Sequence, residues 1–117
     1  QVVLLLLGVI IEPTDHDVYA QRINALGVTQ WSIDGAAVCL AAGDQRNPKL
    51  SSDGANGAII TWYDFRNGST NTDIYSQRID SSGIIQWTSS GVPICAATGN
   101  QQKAAIISDG GDGAIIA

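Results

Sequence analysis

Asp73–Trp87 reads DIYSQRIDSSGIIQW, and the chain has already spelled nearly the same words at Asp17–Trp31, DVYAQRINALGVTQW. The two stretches lie 56 residues apart. The correspondence holds without insertion or deletion from Asp17/Asp73 to Thr61/Ala117, and 20 of the 45 aligned pairs are identical. A period of this size marks a repeat architecture, in which each unit buries its apolar face only against a neighbour. Residues 1–16 are then the truncated or frameshifted end of a preceding repeat, 17–72 a first repeat, and 73–117 an incomplete second one.

Composition narrows the class. Hydrophobic residues at 44%, 13 glycines and 15% charged residues describe a folded chain rich in turns. The apolar runs are dense in Ile, Val, Thr, Tyr and Trp and lack a sustained helical period, which predicts an all-β fold. With a net charge of −5 and its cations scattered singly, the chain offers no phosphate-neutralising patch, so nucleic acid is not expected as a partner. Cys39 and Cys95 fall at the same place in their repeats, a spacing that predicts separation beyond the roughly 7 Å reach of a disulfide; both are read as small buried hydrophobes.

The opening run, QVVLLLLGVIIE, has neither a basic leader nor a small-residue cleavage site and is too short to span a bilayer. A one-base shift of reading frame turns Gln1–Pro13 into GGAIITWGDYRT, close to GAIITWYDFRNG at Gly57–Gly68, so the segment reads as a frameshifted copy of that strand. Sequencing the source DNA decides this. As translated, Val2–Leu7 still suits the same strand position, because a fully buried strand is a continuous apolar run. A polar turn with His16, expected to be solvated, follows at Thr14–Asp17.

Strands are expected at Asp17–Asn24 and Asp73–Asp80, joined by glycine turns at Gly27 and Gly83 to further strands VTQW and IIQW. Edge segments AAVCLAA and VPICAA come next, and Pro93 suits an edge because it cannot donate to a central ladder. Short strands Lys49–Ser52 and Ala105–Ser108 then lead through turns at Asp53-Gly54 and Asp109-Gly110 into GAIITWYDFR. Each unit is a four-stranded antiparallel meander. The chain reads as about two such units cut from a longer array.

Several residues carry possible chemistry. Trp31 and Trp87 recur at the period, which predicts packing between units more than a sugar-stacking platform. Trp62, Asp64 and Arg66 fall on one strand face, where the Asp–Arg pair holds a loop or binds a carboxylate or sugar. The DGANG and DGGDG stretches at Asp53–Gly57 and Asp109–Gly113 lack the alternating ligands and distal glutamate of a calcium loop, and are read as turns needing positive φ. Weak calcium binding there stays open. Arg22 and Arg78, beside Gln21 and Gln77, are expected to pair with aspartates. No nucleophile–base pair, metal cluster or phosphate loop can be assembled.

Repeated four-stranded meanders resemble β-propeller blades. The run SSDGANGAIITWYDFRNGSTNTDIYSQRIDSSG resembles blades of the Tol-associated periplasmic propellers at Asp53, Gly54, Asp64, Arg66, Gly68, Asp73, Ile74 and Tyr75. From Asp17 onward the chain is similar to long-blade repeats of bacterial secreted and surface proteins marked by Asp-Ile-Tyr-Ala-Gln-Arg; Asp17, Tyr19, Arg22, Trp31, Asp73, Tyr75, Arg78 and Trp87 carry that signature here. Gly27–Trp31 and Gly83–Trp87 share the Gly-x-x-x-Trp spacing of quinoprotein blades, with Asp80 one residue nearer the glycine than that pattern has. The spacing also departs from that of sialidase Asp-boxes.

These resemblances imply about two propeller-type blades of an extracellular, cell-surface or periplasmic bacterial protein. The expected role is non-catalytic, a structural or binding module with no cofactor. Its partners would be neighbouring blades and a protein or carbohydrate ligand on one rim, at Asp53, Asp64, Arg66, Asn67 and Asp109. Self-association of the chain is a further possibility. The alternative is a piece of a glycosidase- or quinoprotein-like propeller whose active residues lie in other blades.

Overall fold

The computed structural model describes residues 4–11 and 16–117, with side chains from residue 16 onward. It is all-β: nine strands and, among the described residues, no helix. Strands β1 (Leu4–Ile11), β2 (His16–Ile23) and β3 (Ala36–Cys39) form a sheet in that order. Strands β4 (Gln45–Ser52), β5 (Ala58–Asp64), β6 (Asp73–Ile79) and β7 (Val92–Cys95) form a four-stranded meander, and β8 (Ile106–Ser108) pairs only with β9 (Ala114–Ile116). Every pairing is antiparallel. The sheets thus begin and end inside the sequence repeats counted from Asp17, as a circular permutation of them: the second sheet runs from Gln45 in one repeat to Cys95 in the next.

The sheets repeat in detail. The bulge between Val18 and Tyr19 in the β2–β3 pair recurs between Ile74 and Tyr75 in the β6–β7 pair. Asn47, inside the bulge of β4, has φ 52°, and Lys103 at the matching place has φ 61°. Leu4 pairs with Ile23 as Ala58 pairs with Ile79, and Gly8 faces Tyr19 as Trp62 faces Tyr75. The apolar opening run therefore occupies the place of the repeat's long strand, over Leu4–Ile11. Pro93 sits on β7, at the sheet edge as expected.

Burial explains why these segments are strands. In β5 every residue but Tyr63 is buried, since the strand lies between β4 and β6 in its own sheet and beneath the first sheet. Strand β4 packs against β1, β2 and β8. Val18, Val38 and Cys39 of the first sheet join Ala58, Ile60, Trp62 and Ile79 of the second in one core. Each fully buried aliphatic side chain contributes about 1.5–3 kcal/mol. An exposed ion pair contributes about 0–1 kcal/mol, so apolar contact, not charge, holds sheet on sheet.

The segments VTQW and IIQW are not strands. Each makes one isolated bridge, Ile23 with Thr29 and Ile79 with Ile85. The cause is a glutamine clamp. Gln21 Oε1 accepts the N–H groups of Arg22 (3.0 Å) and Trp31 (2.9 Å), while its Nε2 donates to the Ser32 carbonyl (2.7 Å). Gln77 does the same with Arg78 (3.0 Å), Trp87 (2.9 Å) and Thr88 (2.9 Å). A side chain meets the backbone groups that a ladder would otherwise use.

The first half of the polar turn read at Thr14–Asp17 lies outside the described residues; His16 and Asp17 belong to β2. His16 is not simply solvated. Its Nδ1 lies 2.9 Å from Asp44 Oδ1, and its backbone N–H donates to the same oxygen. The cysteines also part company. Both are free, but Cys39 is buried while Cys95 is exposed, because only Cys39 has a neighbouring sheet complete enough to cover it.

Candidate functional site

The strand Ala58–Asp64 runs out into a tight turn at Arg66-Asn67, and this brings three polar side chains of one face together. Trp62 Nε1 donates to Asp64 Oδ2 at 2.8 Å. Arg66 grips the same carboxylate twice, Nε to Oδ1 at 2.7 Å and Nη2 to Oδ2 at 2.6 Å, and its backbone N–H adds a third bond to Oδ1 at 3.0 Å. Nη2 also donates to the Ser90 carbonyl at 2.8 Å, and the guanidinium lies 3.8 Å from the Tyr75 ring centroid. Asp64 is fully buried. Burial pulls the Arg66 pKa down, but the Asp64 carboxylate outweighs it and holds the guanidinium above its ordinary value. All the acceptor capacity of Asp64 is spent within the chain, so the cluster is a closed latch between β5, β6 and the Ser90 turn.

Asp53 is held just as tightly. Its Oδ1 accepts the N–H groups of Ala55 and Gly57, both at 2.8 Å, and its Oδ2 meets Arg78 Nε at 3.1 Å. Burial pushes the Asp53 carboxyl up, yet the two amides and the Arg78 guanidinium together hold it below the usual carboxylate range. Asp109 makes the same turn, with Oδ1 accepting from Gly111 (2.7 Å) and Gly113 (3.2 Å), but it is exposed and makes no ion pair among the described residues. The positive φ values at Gly54 (79°), Asn56 (66°) and Gly110 (87°) confirm the turn reading.

These residues do not share one rim. The Asp53–Gly57 turn enters β5 and the Arg66–Thr72 loop leaves it, so they lie at opposite ends of a strand roughly 20 Å long. Asn67 does lie beside the Asp64 latch, where its Nδ2 donates to Asp73 Oδ2 at 2.9 Å; residues 67–70 are the exposed part of that loop.

The repeat-signature residues divide by role. Trp31 is 9% exposed, lies over Gly83 of the second sheet, and donates from Nε1 to the Ser81 carbonyl at 3.0 Å. Arg22 Nη1 donates to the same carbonyl at 2.9 Å. Trp87, in the same local frame, is 36% exposed. Tyr75 stacks on Trp62 at 6.5 Å, while Tyr19, facing Gly8, has no such partner ring among the described residues. Asp73 is buried at the start of β6, and Asp17 takes the matching place in β2.

One cluster has no counterpart among the expected site residues: His16, Asp44 and Arg46. Arg46 Nη2 meets Asp44 Oδ2 at 2.5 Å, and its guanidinium lies 5.5 Å from the Phe65 ring centroid. The His16 ring and, after it, Arg46 hold the Asp44 carboxyl below its usual range against the opposing effect of burial. At the matching place in the next unit, Thr72 N–H donates to Asn100 Oδ1 at 2.8 Å. The joint is the same and the charge is new. His16 and Asp44 stand where the next unit has Thr72 and Asn100, two substitutions among many between the repeats, and only the structure pairs them.

Among the described residues no group of three or more His, Cys, Asp or Glu is placed to hold a metal ion, and no helix is long and apolar enough to cross a membrane. Comparison with protein-family models, with curated proteins and with solved structures finds no match to this chain.

Proposed function

We propose that the chain is a non-catalytic structural or binding module of β-propeller type, built of blade-like sheets and working in a secreted or cell-surface bacterial protein. One observation carries the reading. At the most reactive-looking group on the chain, the Trp62–Asp64–Arg66 cluster, the Asp64 carboxylate is fully buried with its hydrogen bonds closed internally, which supports a role in shaping a loop over one in facing a substrate. The side chains that recur at the period, Trp31, Gln21 and Gln77 above all, likewise serve turns and the joint between sheets. Among the exposed loops such a scaffold leaves for recognition, residues 67–70 lie beside this cluster. The extracellular placement rests on the resemblance of the repeat signature alone.

The test is titration of the isotope-labelled chain with oligosaccharides and small carboxylates, following amide shifts, alongside assays for glycoside turnover. The expected result is no turnover, with any shifts confined to the 67–72 loop. Turnover that Asp64→Asn abolishes would overturn the reading in favour of a catalytic module.

A further inference from the structure

Two asparagines of the chain precede a glycine, Asn56 and Asn67. That dipeptide is the one most prone to lose the asparagine amide, because glycine has no Cβ to hinder attack by its own backbone nitrogen on the preceding side chain. The two sites sit in opposite surroundings. Gly57 is buried at the entry to β5: its N–H donates to Asp53 Oδ1 at 2.8 Å, and a Cβ there would run into the Ile79 carbonyl. Gly68 is exposed, with φ 99° and nothing within 4 Å of where a Cβ would stand. Its N–H donates to the Phe65 carbonyl at 2.9 Å, in a turn at the surface.

A change at Asn67 reaches into the sheet. Its Nδ2 donates to Asp73 Oδ2 at 2.9 Å. Asp73 is 1% exposed and lies directly across the β5–β6 pair from Asp64, a second buried carboxylate. Arg66 is committed to Asp64, and Asp73 Oδ1 has no hydrogen-bond partner. Among the described residues, the Asn67 amide is therefore the donor that keeps the Asp73 carboxylate hydrogen-bonded. A buried carboxylate with neither donor nor counter-charge is strongly disfavoured. Aspartate at position 67 would place a negative charge where that donor stood.

We propose that Asn67 is a site of spontaneous deamidation, and that its conversion irreversibly releases the 67–72 loop. The Gly68 nitrogen gives its proton to water and attacks Asn67 Cγ. The new N–Cγ bond closes a cyclic succinimide, the Cγ–Nδ2 bond breaks, and the amide nitrogen leaves as ammonia, taking up the proton. Water then opens the ring at either carbonyl, giving aspartate or isoaspartate. One water is consumed and one ammonia released, with no oxidant or reductant. The product carboxylate cannot donate to Asp73, which regains hydrogen bonds only by reaching water, and that lifts the start of β6 and the loop before it. The native contacts set the rate. Both the Phe65–Gly68 and the Asn67–Asp73 bonds must open first, and they belong to an exposed loop that can open locally. At Asn56 the same step requires the buried entry to β5 to part from Asp53 and Ile79. The modification falls on the loop assigned above to recognition, but follows from its geometry whatever that loop binds.

The test is peptide mapping by mass spectrometry of the full chain held at mildly alkaline pH, folded and, in parallel, unfolded in urea. In urea both asparagines should convert at nearly the same rate, since both precede glycine. In the folded chain Asn67 should outpace Asn56 by about tenfold or more, because an exposed loop opens more readily than the buried entry to β5. Asn67→Asp, which copies one product, should speed backbone amide exchange over residues 67–73 by about tenfold and leave exchange in β2 unchanged. Combining Asn67→Asp with Asp73→Asn swaps donor and acceptor and should restore slow exchange. A folded chain in which Asn67 stays intact or converts no faster than Asn56 would overturn the proposal. So would Asn67→Asp with wild-type exchange, or a double variant that exchanges as fast as the single one.

Discussion

Gly83 lies so close beneath the ring of Trp31 that a Cβ there would come within 2.8 Å of Trp31 Cγ. Gly27, its twin in the first sheet, has nearly the same φ, 80° against 83°, and open space above it. The pair separates two costs that usually come together. Gly27→Ala should lose only the backbone preference of glycine, about 1 kcal/mol. Gly83→Ala adds overpacking against a ring that cannot withdraw, for a total of about 2–4 kcal/mol. Urea denaturation of the two variants in dilute solution measures the difference, which is the steric cost of crowding the Trp31 ring.

Asp53 and Asp109 make the same turn in different surroundings. Asp53→Asn leaves a buried turn facing an uncompensated Arg78, and a loss of roughly 3 kcal/mol is expected at neutral pH. Asp109→Asn, at an exposed copy, should cost less than about 1 kcal/mol. The pH dependence follows from the direction of the shift. The folded-state pKa of Asp53 lies below its unfolded value, so the stabilisation is fully present above about pH 4 and is lost as pH falls through the folded-state value. In an acid titration followed by circular dichroism, Asp53→Asn should flatten that loss.

The His16–Asp44 joint should be convertible into its neutral relative. Replacing His16→Thr together with Asp44→Asn copies what Thr72 and Asn100 already do one unit later. The double variant is expected to keep its neutral-pH stability within about 1 kcal/mol, because a partly exposed ion pair contributes little. It should also lose part of the acid sensitivity. The Asp44 carboxyl sits below its usual value chiefly through the His16 bond, so its contribution too is complete above about pH 4 and disappears below it. Thermal melts at pH 7 and pH 3 check both halves.

How much of this was legible depends on which residues one asks about. Trp31 was readable as a packing residue because its twin stands 56 residues on, and recurrence at the period is what a joint between units requires. The all-β meander was readable from DIYSQRI and GAIITWYD, whose burial on both faces leaves polar and apolar residues mixed. IIQW misled, because its apolar pair looks like a strand while the backbone belongs to the Gln77 side chain. The common rim for Asp53 and Asp64 misled as well, since residue types do not reveal which end of β5 a turn occupies. The pairing of His16 is not legible in the sequence, because its partner, Asp44, lies 28 residues away across a joint between sheets.

The cysteines give a prediction from burial alone. Cys95 is exposed and should react with a chromogenic disulfide reagent in the native protein within minutes. Cys39 is buried, and that burial raises its pKa, so its thiolate is both scarce and shielded. It should react only at the rate of unfolding. Two thiols reacting at one rate would contradict the packing assigned to Cys39.

The account depends on consecutive sheets being equivalent units seated on one another through Trp31. The most direct measurement is the nuclear Overhauser effect between the Trp31 indole protons and the α-protons of Gly83 in dilute, labelled protein. Strong cross-peaks are predicted, together with slow exchange of the Trp31 Nε1 proton held by the Ser81 carbonyl. The Trp87 indole should show neither. Absence of the Trp31–Gly83 peaks, or equal exchange at the two indoles, would contradict the account.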